Sequence, residues 1–373
     1  MTQRRVAIVA GGRTPFVKSG KTFKNLSPLA LAKHTVNGLM DRHQVIPDKI
    51  EAISVGVVVP EPGKPNLARE IVLETGLPAS IEAQTVSSYC ISGLRSITII
   101  ADAIASGRID AGIAAGVESL SQADINYFKE PSSGLLMGEH MELTIKDWVI
   151  PRVDQDRLAL NSHRNAIESR KRLAEQIFPL LGEDSDSGPR TDTSLKALTE
   201  LQPAFGEAGT LTAGNSSPVS DGAAAVLLMS EERASLEQRV PLAFIRGMEY
   251  SALHPREGLF MAPALAVPRL LKHTGLKLSD IDLIEIHEAF AAVPLANARA
   301  WEQGWKEAPT GRVDWNRVNV CGSSIAIGHP WSATGGRIVT TVAYEMTRRD
   351  VKYGLVSICA AGAMAGAFLL ERN

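Results

Sequence analysis

Val86-Ser87-Ser88-Tyr89-Cys90-Ile91-Ser92-Gly93-Leu94 leads into an apolar run, rich in Ala and Ile, that continues to about Ser106. The run lacks proline and carries Leu94, Ile97, Ala101 and Ile104 at helical spacing, which predicts a helix starting near Cys90. A thiol at a helix N-terminus lies among backbone N–H groups that have no intrahelical partner. Such donors stabilise negative charge, so the expectation is a lowered thiol pKa and a larger thiolate fraction. The competing explanation is a small side chain packed in a core, as most intracellular cysteines are. Two distant segments favour the nucleophile: Gly328-His329-Pro330 and Ile358-Cys359-Ala360-Ala361-Gly362.

The bulk numbers narrow the setting. With 373 residues there is enough chain for two or three domains around a large core. A formal net charge of −2 gives no electrostatic case for nucleic acid or a membrane surface as the main partner. Three widely spaced cysteines argue against a disulfide framework, and none are paired as C-x-x-C, so no structural metal is expected. The N-terminal apolar run is too short for a signal segment, no run reaches membrane-spanning length, and Glu371-Arg372-Asn373 is not a peroxisomal address. A cytoplasmic location is the default expectation.

Working outward, buried strands are expected at Arg5–Ala10, Ile53–Val59 and Ala111–Val117, with helices at 27–43 and Leu67–Gly76, while Thr85–Ser88 leads into the Cys90 helix. This alternation predicts a mostly parallel α/β sheet. After about Ser121 the pattern breaks. Residues 122–209 hold charge clusters, a Pro-Ser-Ser-Gly turn, a helix expected from about Val153 to Ile177, and a polar, mobile stretch Gly182–Arg190. They are taken as an inserted loop domain. The first half (1–121) then returns at 210–238 with the strand Ala223–Met229. A second α/β half, 239–373, has strands at Leu242–Met248, Leu283–Ile286, Gly354–Ile358 and Ala365–Leu370. Its helices are expected at Ala264–Thr274, Ala289–Trp301 and Thr334–Arg348. The similar order of elements in the two halves suggests duplication.

Each reactive side chain falls on a loop next to a strand or helix end, where open α/β sheets place their sites. His329 is set among small residues (Ser323, Ser324, Ala333, Thr334, Gly335), which leave backbone room for a ligand while the imidazole abstracts a thiol proton. Cys359 runs into Ala360-Ala361-Gly362-Ala363, where no bulky side chain blocks backbone N–H groups. His287 stands at the end of another strand.

Together with Arg13-Thr14-Pro15-Phe16, Gly116-Val117-Glu118-Ser119, Asn215-Ser216-Ser217, Ser220-Asp221-Gly222-Ala223-Ala224-Ala225 and His287-Glu288-Ala289-Phe290-Ala291, these segments resemble the thiolase family. The resemblance covers nearly the whole chain, in the family's order. It implies a duplicated five-layer αβαβα fold and ping-pong acyl transfer between thioesters of coenzyme A. Cys90 would be the nucleophile, His329 its base, and Cys359 the acid/base at the α-carbon. Backbone N–H groups near Cys90 and Ala361 would hold one oxyanion. A second oxyanion would be held by His329 and a water, with His287 where many thiolases carry Asn. His287 and the Cys-Ala-Ala-Gly sequence look like the fatty-acid-oxidation branch, which points to cleavage of 3-ketoacyl-CoA. Met137, in Leu135-Leu136-Met137-Gly138, matches the stretch that lines the acyl pocket, and Cys321 matches no catalytic position.

The resemblance also implies acyl-CoA and CoA as substrates, no prosthetic group, a homodimer or homotetramer, and in some relatives a hydratase/dehydrogenase α-subunit as partner. The loop domain is shorter than expected for that branch. Biosynthetic acetoacetyl-CoA thiolase stays open as an alternative, as does a silent acyl-CoA-binding scaffold. A ketoacyl synthase or hydroxymethylglutaryl-CoA synthase is disfavoured, because those relatives lack the second cysteine.

Overall fold

The computed structural model describes residues 4–373; of the N-terminal MTQRR stretch, 1–3 lie outside the described residues. The first half contains β1 (Val6–Arg13), β2 (Val17–Lys18), α1 (Pro28–Arg42), β3 (Ala52–Gly56), α2 (Leu67–Glu74), β4 (Glu82–Val86), α3 (Ser92–Ala105) and β5 (Ala111–Ser119). Four helices follow: α4 (Met137–Trp148), α5 (Arg152–Glu168), α6 (Arg170–Ala174) and α7 (Leu195–Thr199). The chain returns as β6 (Ser220–Ser230) and α8 (Glu231–Leu236). The second half has β7 (Ala243–Ala252), α9 (Pro263–Thr274), β8 (Leu283–Ile286), α10 (Ala292–Gln303), α11 (Ser324–Ile327), α12 (Ala333–Arg349), β9 (Tyr353–Ala360) and β10 (Met364–Glu371).

The strands run in the order β4-β3-β5-β6-β1-β7-β10-β9-β8, with β2 paired to β6. Side-chain alternation sorts this surface into layers. Ala7 and Val9 of β1 face α1 and α2, while Val6 and Ile8 face the cluster built by α3 and α12. In the second half Val356, Phe368 and Leu370 enter that same central cluster, and Leu355, Ala367 and Leu369 face α9 and α10. Helix, sheet, helix, sheet, helix is the expected five-layer order, with α3 and α12 shared by both halves.

Three expectations need correction. The sheet is mixed rather than mostly parallel: only β3/β4, β3/β5 and β8/β9 are parallel, and β1, β6, β7 and β10 pair antiparallel with their neighbours. An apolar run reports burial on two faces and says nothing of its neighbour's direction. The expected long helix to Ile177 breaks at Ser169, whose hydroxyl bonds the carbonyl of Val320. The stretch Gly182–Arg190 is docked, not mobile. Buried Asp186 grips the Arg13 guanidinium at 2.5 and 2.7 Å and accepts from the N–H of Phe16. No helix among the described residues is long and apolar enough to cross a membrane.

Candidate active site

Cys90 sits in a tight turn between β4 and α3. Tyr89 takes φ +49, a left-handed conformation uncommon for a side chain of this size. The turn is held by Ser92, whose hydroxyl accepts from the N–H of Ser88 at 2.8 Å and donates to the carbonyl of Tyr89 at 2.6 Å. Helix α3 therefore begins at Ser92, two residues later than expected, and Cys90 precedes its N-cap. The expected fall in thiol pKa does not occur in the free protein. Burial pushes Cys90 up to about 12, against which the N–H groups of Ala361 and of Cys90 itself pull downward, while buried Glu118 raises it further.

His329 comes from the other half of the chain, and its Nε2 lies 3.2 Å from Cys90 Sγ. Its Nδ1 is 2.7 Å from the hydroxyl of Thr334. Burial, reinforced by Arg337, lowers its pKa to about 3, so the imidazole is neutral and able to accept a proton. His287 packs beside it with ring centroids 4.1 Å apart and the ring planes tilted by 47°. Its Nδ1 meets Ser324 Oγ at 2.7 Å, and its buried Nε2 has no hydrogen-bond partner among the described residues. Burial, then His329, then Arg337 hold its pKa well below the usual imidazole range. Cys90 Sγ and one nitrogen of each histidine lie within 4.8 Å of one another, the one such grouping of three possible metal ligands among the described residues.

Cys359 and Ala361 arrive on the β9–β10 hairpin. Ala360 pairs with Met364, and the three residues between turn with φ +70 at Gly362 and +53 at Ala363. Cys359 is buried, and burial together with nearby Cys90 raises its pKa well above the usual thiol range. The hairpin tip is tied to the segment between β5 and α4, since Glu130 accepts from the N–H of Gly362 at 3.1 Å. The N–H of Ala361 is directed at Cys90.

Above Cys90 lies a cavity of about 170 Å³. Its walls include Phe128, Met137, Phe205, Phe290 and Trp331. Met137 thus shares a cavity with Cys90, His329 and Ala361. Gly138 lets α4 press on the Phe205 ring, which a Cβ would penetrate. Cys321 is buried away from this site beside Arg172 and Ser169.

Several residues escaped sequence reasoning. Ser324 and Thr334 do more than leave room as small side chains: their hydroxyls lie 2.7 Å from Nδ1 of His287 and of His329. Arg337, fully buried and paired with Glu285 at 2.6 Å, reaches the oxygens of Ser323 and Ser324 at 3.2 and 3.1 Å. Glu118 accepts from Ser332 Oγ and from the N–H groups of Val58 and Val59, and burial still raises its pKa to about 7. A charged residue inside an otherwise apolar, Gly-rich segment was the available signal for Arg337 and Glu118.

Comparison with known proteins matches this architecture. A family model described as "Thiolase, N-terminal domain" matches residues 6–232, and one described as "Thiolase, C-terminal domain" matches 239–372. A 3-ketoacyl-CoA thiolase of Shewanella halifaxensis is 37% identical, covering 98% of this chain and 97% of the relative. Its counterpart in Colwellia psychrerythraea is 36% identical, covering 100% and 98%. These alignments span 421 and 426 positions, more than the 373 residues present here, so both relatives carry segments that this chain lacks. Among solved structures, the acetyl-CoA acetyltransferase of Bacillus anthracis superposes with a TM-score of 0.92 at 30% identity, covering 99% of each chain. That of Syntrophomonas wolfei superposes at 0.91 and 29%, covering all of each. With both family domains matched over nearly its full length, this chain belongs to the thiolase family.

Proposed function

We propose that this protein is a 3-ketoacyl-CoA thiolase, cleaving 3-ketoacyl-CoA with CoA into acetyl-CoA and a shortened acyl-CoA. The observation that carries the reading is the 3.2 Å approach of His329 Nε2 to Cys90 Sγ at the floor of an apolar cavity. The relatives named 3-ketoacyl-CoA thiolase support the same chemistry.

In the free enzyme the pair is a neutral thiol and a neutral imidazole. As the sulfur attacks the 3-keto carbon, its proton passes to His329, and the N–H groups of Ala361 and Cys90 receive the oxyanion. The C2–C3 bond then breaks, leaving the acyl group on Cys90 and an enolate of acetyl-CoA. His287 and His329 face the enolate oxygen, and the Cys359 thiol protonates C2. In the second half-reaction the Cys359 thiolate takes the proton of an incoming CoA thiol. That sulfur attacks the acyl-enzyme, and His329 returns its proton to Cys90.

We place the acyl chain in the cavity roofed by residues 122–209, since Tyr127, Phe128, Leu136, Met137 and Phe205 all line it. The two α/β halves at 1–121 with 210–238, and at 239–373, supply the nucleophile and its partners respectively. We further propose a homo-oligomer, with β4 as the joining edge: it pairs on one side only, with β3, and is half-buried along most of its length.

A second reading is condensation of two acetyl-CoA units. It is favoured by structural neighbours that are named acetyl-CoA acetyltransferases and by a cavity only slightly larger than one of about 150 Å³ that accepts benzene. CoA-dependent loss of the Mg-enolate absorbance, with acetoacetyl-CoA beside 3-ketodecanoyl-CoA, separates the two. Faster cleavage of the longer substrate supports the degradative thiolase; activity on acetoacetyl-CoA alone favours the condensing enzyme. Inactivity on both overturns the thiolase assignment and leaves a silent acyl-CoA-binding protein.

A further inference from the structure

The two neighbouring imidazoles each have Nδ1 beside a hydroxyl at 2.7 Å, but the two hydroxyls differ. Ser324 Oγ already accepts from Arg337 Nη2 at 3.1 Å. A hydroxyl has one proton to give, and among the described residues the acceptor in reach of the Ser324 proton is His287 Nδ1. Were Nδ1 itself protonated, Ser324 would receive two N–H groups and its own proton would be buried without an acceptor, an unfavourable arrangement. The Thr334 hydroxyl can donate or accept at His329 Nδ1 and does not choose that ring's tautomer. The neutral Cys90 thiol does, because its proton has His329 Nε2 as acceptor at 3.2 Å, which places the His329 proton on Nδ1. That leaves the lone pair on Nε2 of His329 facing Cys90.

We propose that Arg337, acting through Ser324, holds His287 as its Nε2–H tautomer and thereby makes it a fixed hydrogen-bond donor to the enolate oxygen. Neighbouring His329 keeps the opposite tautomer and serves as the base. Thr334 and Arg337 lie three residues apart on α12, so one face of one helix bears on both rings. Arg337 is itself held by Glu285, two residues before His287 on the same strand edge. The unpartnered, fully buried Nε2 of His287 agrees with a donor kept for a ligand. An Asn amide, the side chain that many thiolases carry at this position, always presents an N–H. A histidine does so dependably only when its tautomer is fixed. Ser324 and Arg337 are positioning residues here, and the role given to His287 rests on the thiolase reading.

Nitrogen-15 NMR of histidine-labelled wild-type protein tests the tautomer without any variant. His287 is expected to carry its proton on Nε2 and none on Nδ1; a protonated Nδ1 overturns the proposal. Kinetics supply the second arm. Ser324→Ala is expected to slow α-proton exchange of acetyl-CoA about tenfold, while acylation of Cys90 by acetyl-CoA stays within about twofold. In a His287→Asn background the same Ser324→Ala change should cost less than about twofold, because an amide has no tautomer to lose. Equal losses in both backgrounds would make Ser324 a packing residue and overturn the proposal. The NMR result does not depend on turnover. A wild-type protein inactive on 3-ketoacyl-CoA yet showing this tautomer would remove the functional reading and leave the tautomer assignment standing.

Discussion

A Cβ on Gly335 would stand 2.7 Å from the backbone nitrogen of Leu94. This contact is where α12 crosses α3, and Gly93 and Gly116 likewise leave room for the carbonyl of Ser332. Cys90 lies just before α3 and His329 just before α12, so the crossing distance sets the 3.2 Å between sulfur and imidazole. Gly335→Ala would gain about 1 kcal/mol of helix propensity. The obstacle is backbone, which cannot rotate away, and overpacking of this kind costs about 1–3 kcal/mol. The clash should win. We expect a melting temperature lower by a few degrees, and kcat reduced on the order of 100-fold by misplacement of the pair, with KM changed far less. Unchanged turnover would show that the crossing does not set the catalytic distance.

The two cysteines should separate cleanly in half-reactions. Cys90→Ala should abolish covalent acetylation by acetyl-CoA, measured by intact-protein mass. Cys359→Ala should still be acetylated at Cys90 but lose exchange of the acetyl α-protons with solvent, since Cys359 is the group assigned to C2. Wild-type turnover in the Cys90 variant would remove the nucleophile assignment.

Much of this site could be read from the chain because its reactive atoms sit on short segments of unusual composition. Cys90, His329, Cys359 and His287 stand in turns or at strand ends amid small residues, and the fold brings three of them within 4.8 Å. Other features depend on partners that no local pattern encodes. The direction of β6 and β10 is one, since an apolar strand looks the same in either sense. Asp186 is another: its segment looks mobile until Arg13, 173 residues away, is placed against it. The thiol pKa of Cys90 is a third, because helix position is local whereas the burial that dominates the pKa is made by the whole site.

That burial has a consequence for pH dependence. Only the thiolate is alkylated, so a thiol pKa near 12 means that iodoacetamide labelling of Cys90 in the free enzyme should keep rising to at least about pH 10. A thiol activated by its helix terminus would level off below its unperturbed value of about 8.5. The base role proposed for His329 needs its neutral form, and its pKa near 3 keeps that form populated in mild acid. Hence kcat/KM should show no acid limb from His329 between about pH 5 and pH 8. Peptide-resolved labelling separates Cys90 from Cys321 and Cys359. A plateau near neutrality would mean that Cys90 and His329 rest as an ion pair instead.

Met137 offers control over the acyl chain. It begins α4 and lines the cavity with Phe205, Phe290 and Cys90, so its side chain occupies space in the cavity that Cys90 lines. Truncation to Ala should lengthen the apolar slot. Each methylene newly withdrawn from water contributes about 0.8 kcal/mol, so two of them should raise kcat/KM about tenfold. We therefore expect Met137→Ala to increase kcat/KM for 3-ketodecanoyl-CoA relative to acetoacetyl-CoA by about tenfold. Met137 is only partly buried, so the loss of stability should fall below the roughly 2–5 kcal/mol of a fully buried Met→Ala change. A parallel fall on both substrates would mean that Met137 supports the fold of the inserted segment rather than bounding the chain. The acyl group would then leave Cys90 by another wall of the cavity, with Trp331 and Phe128, in edge contact at 5.0 Å, as the next pair to truncate.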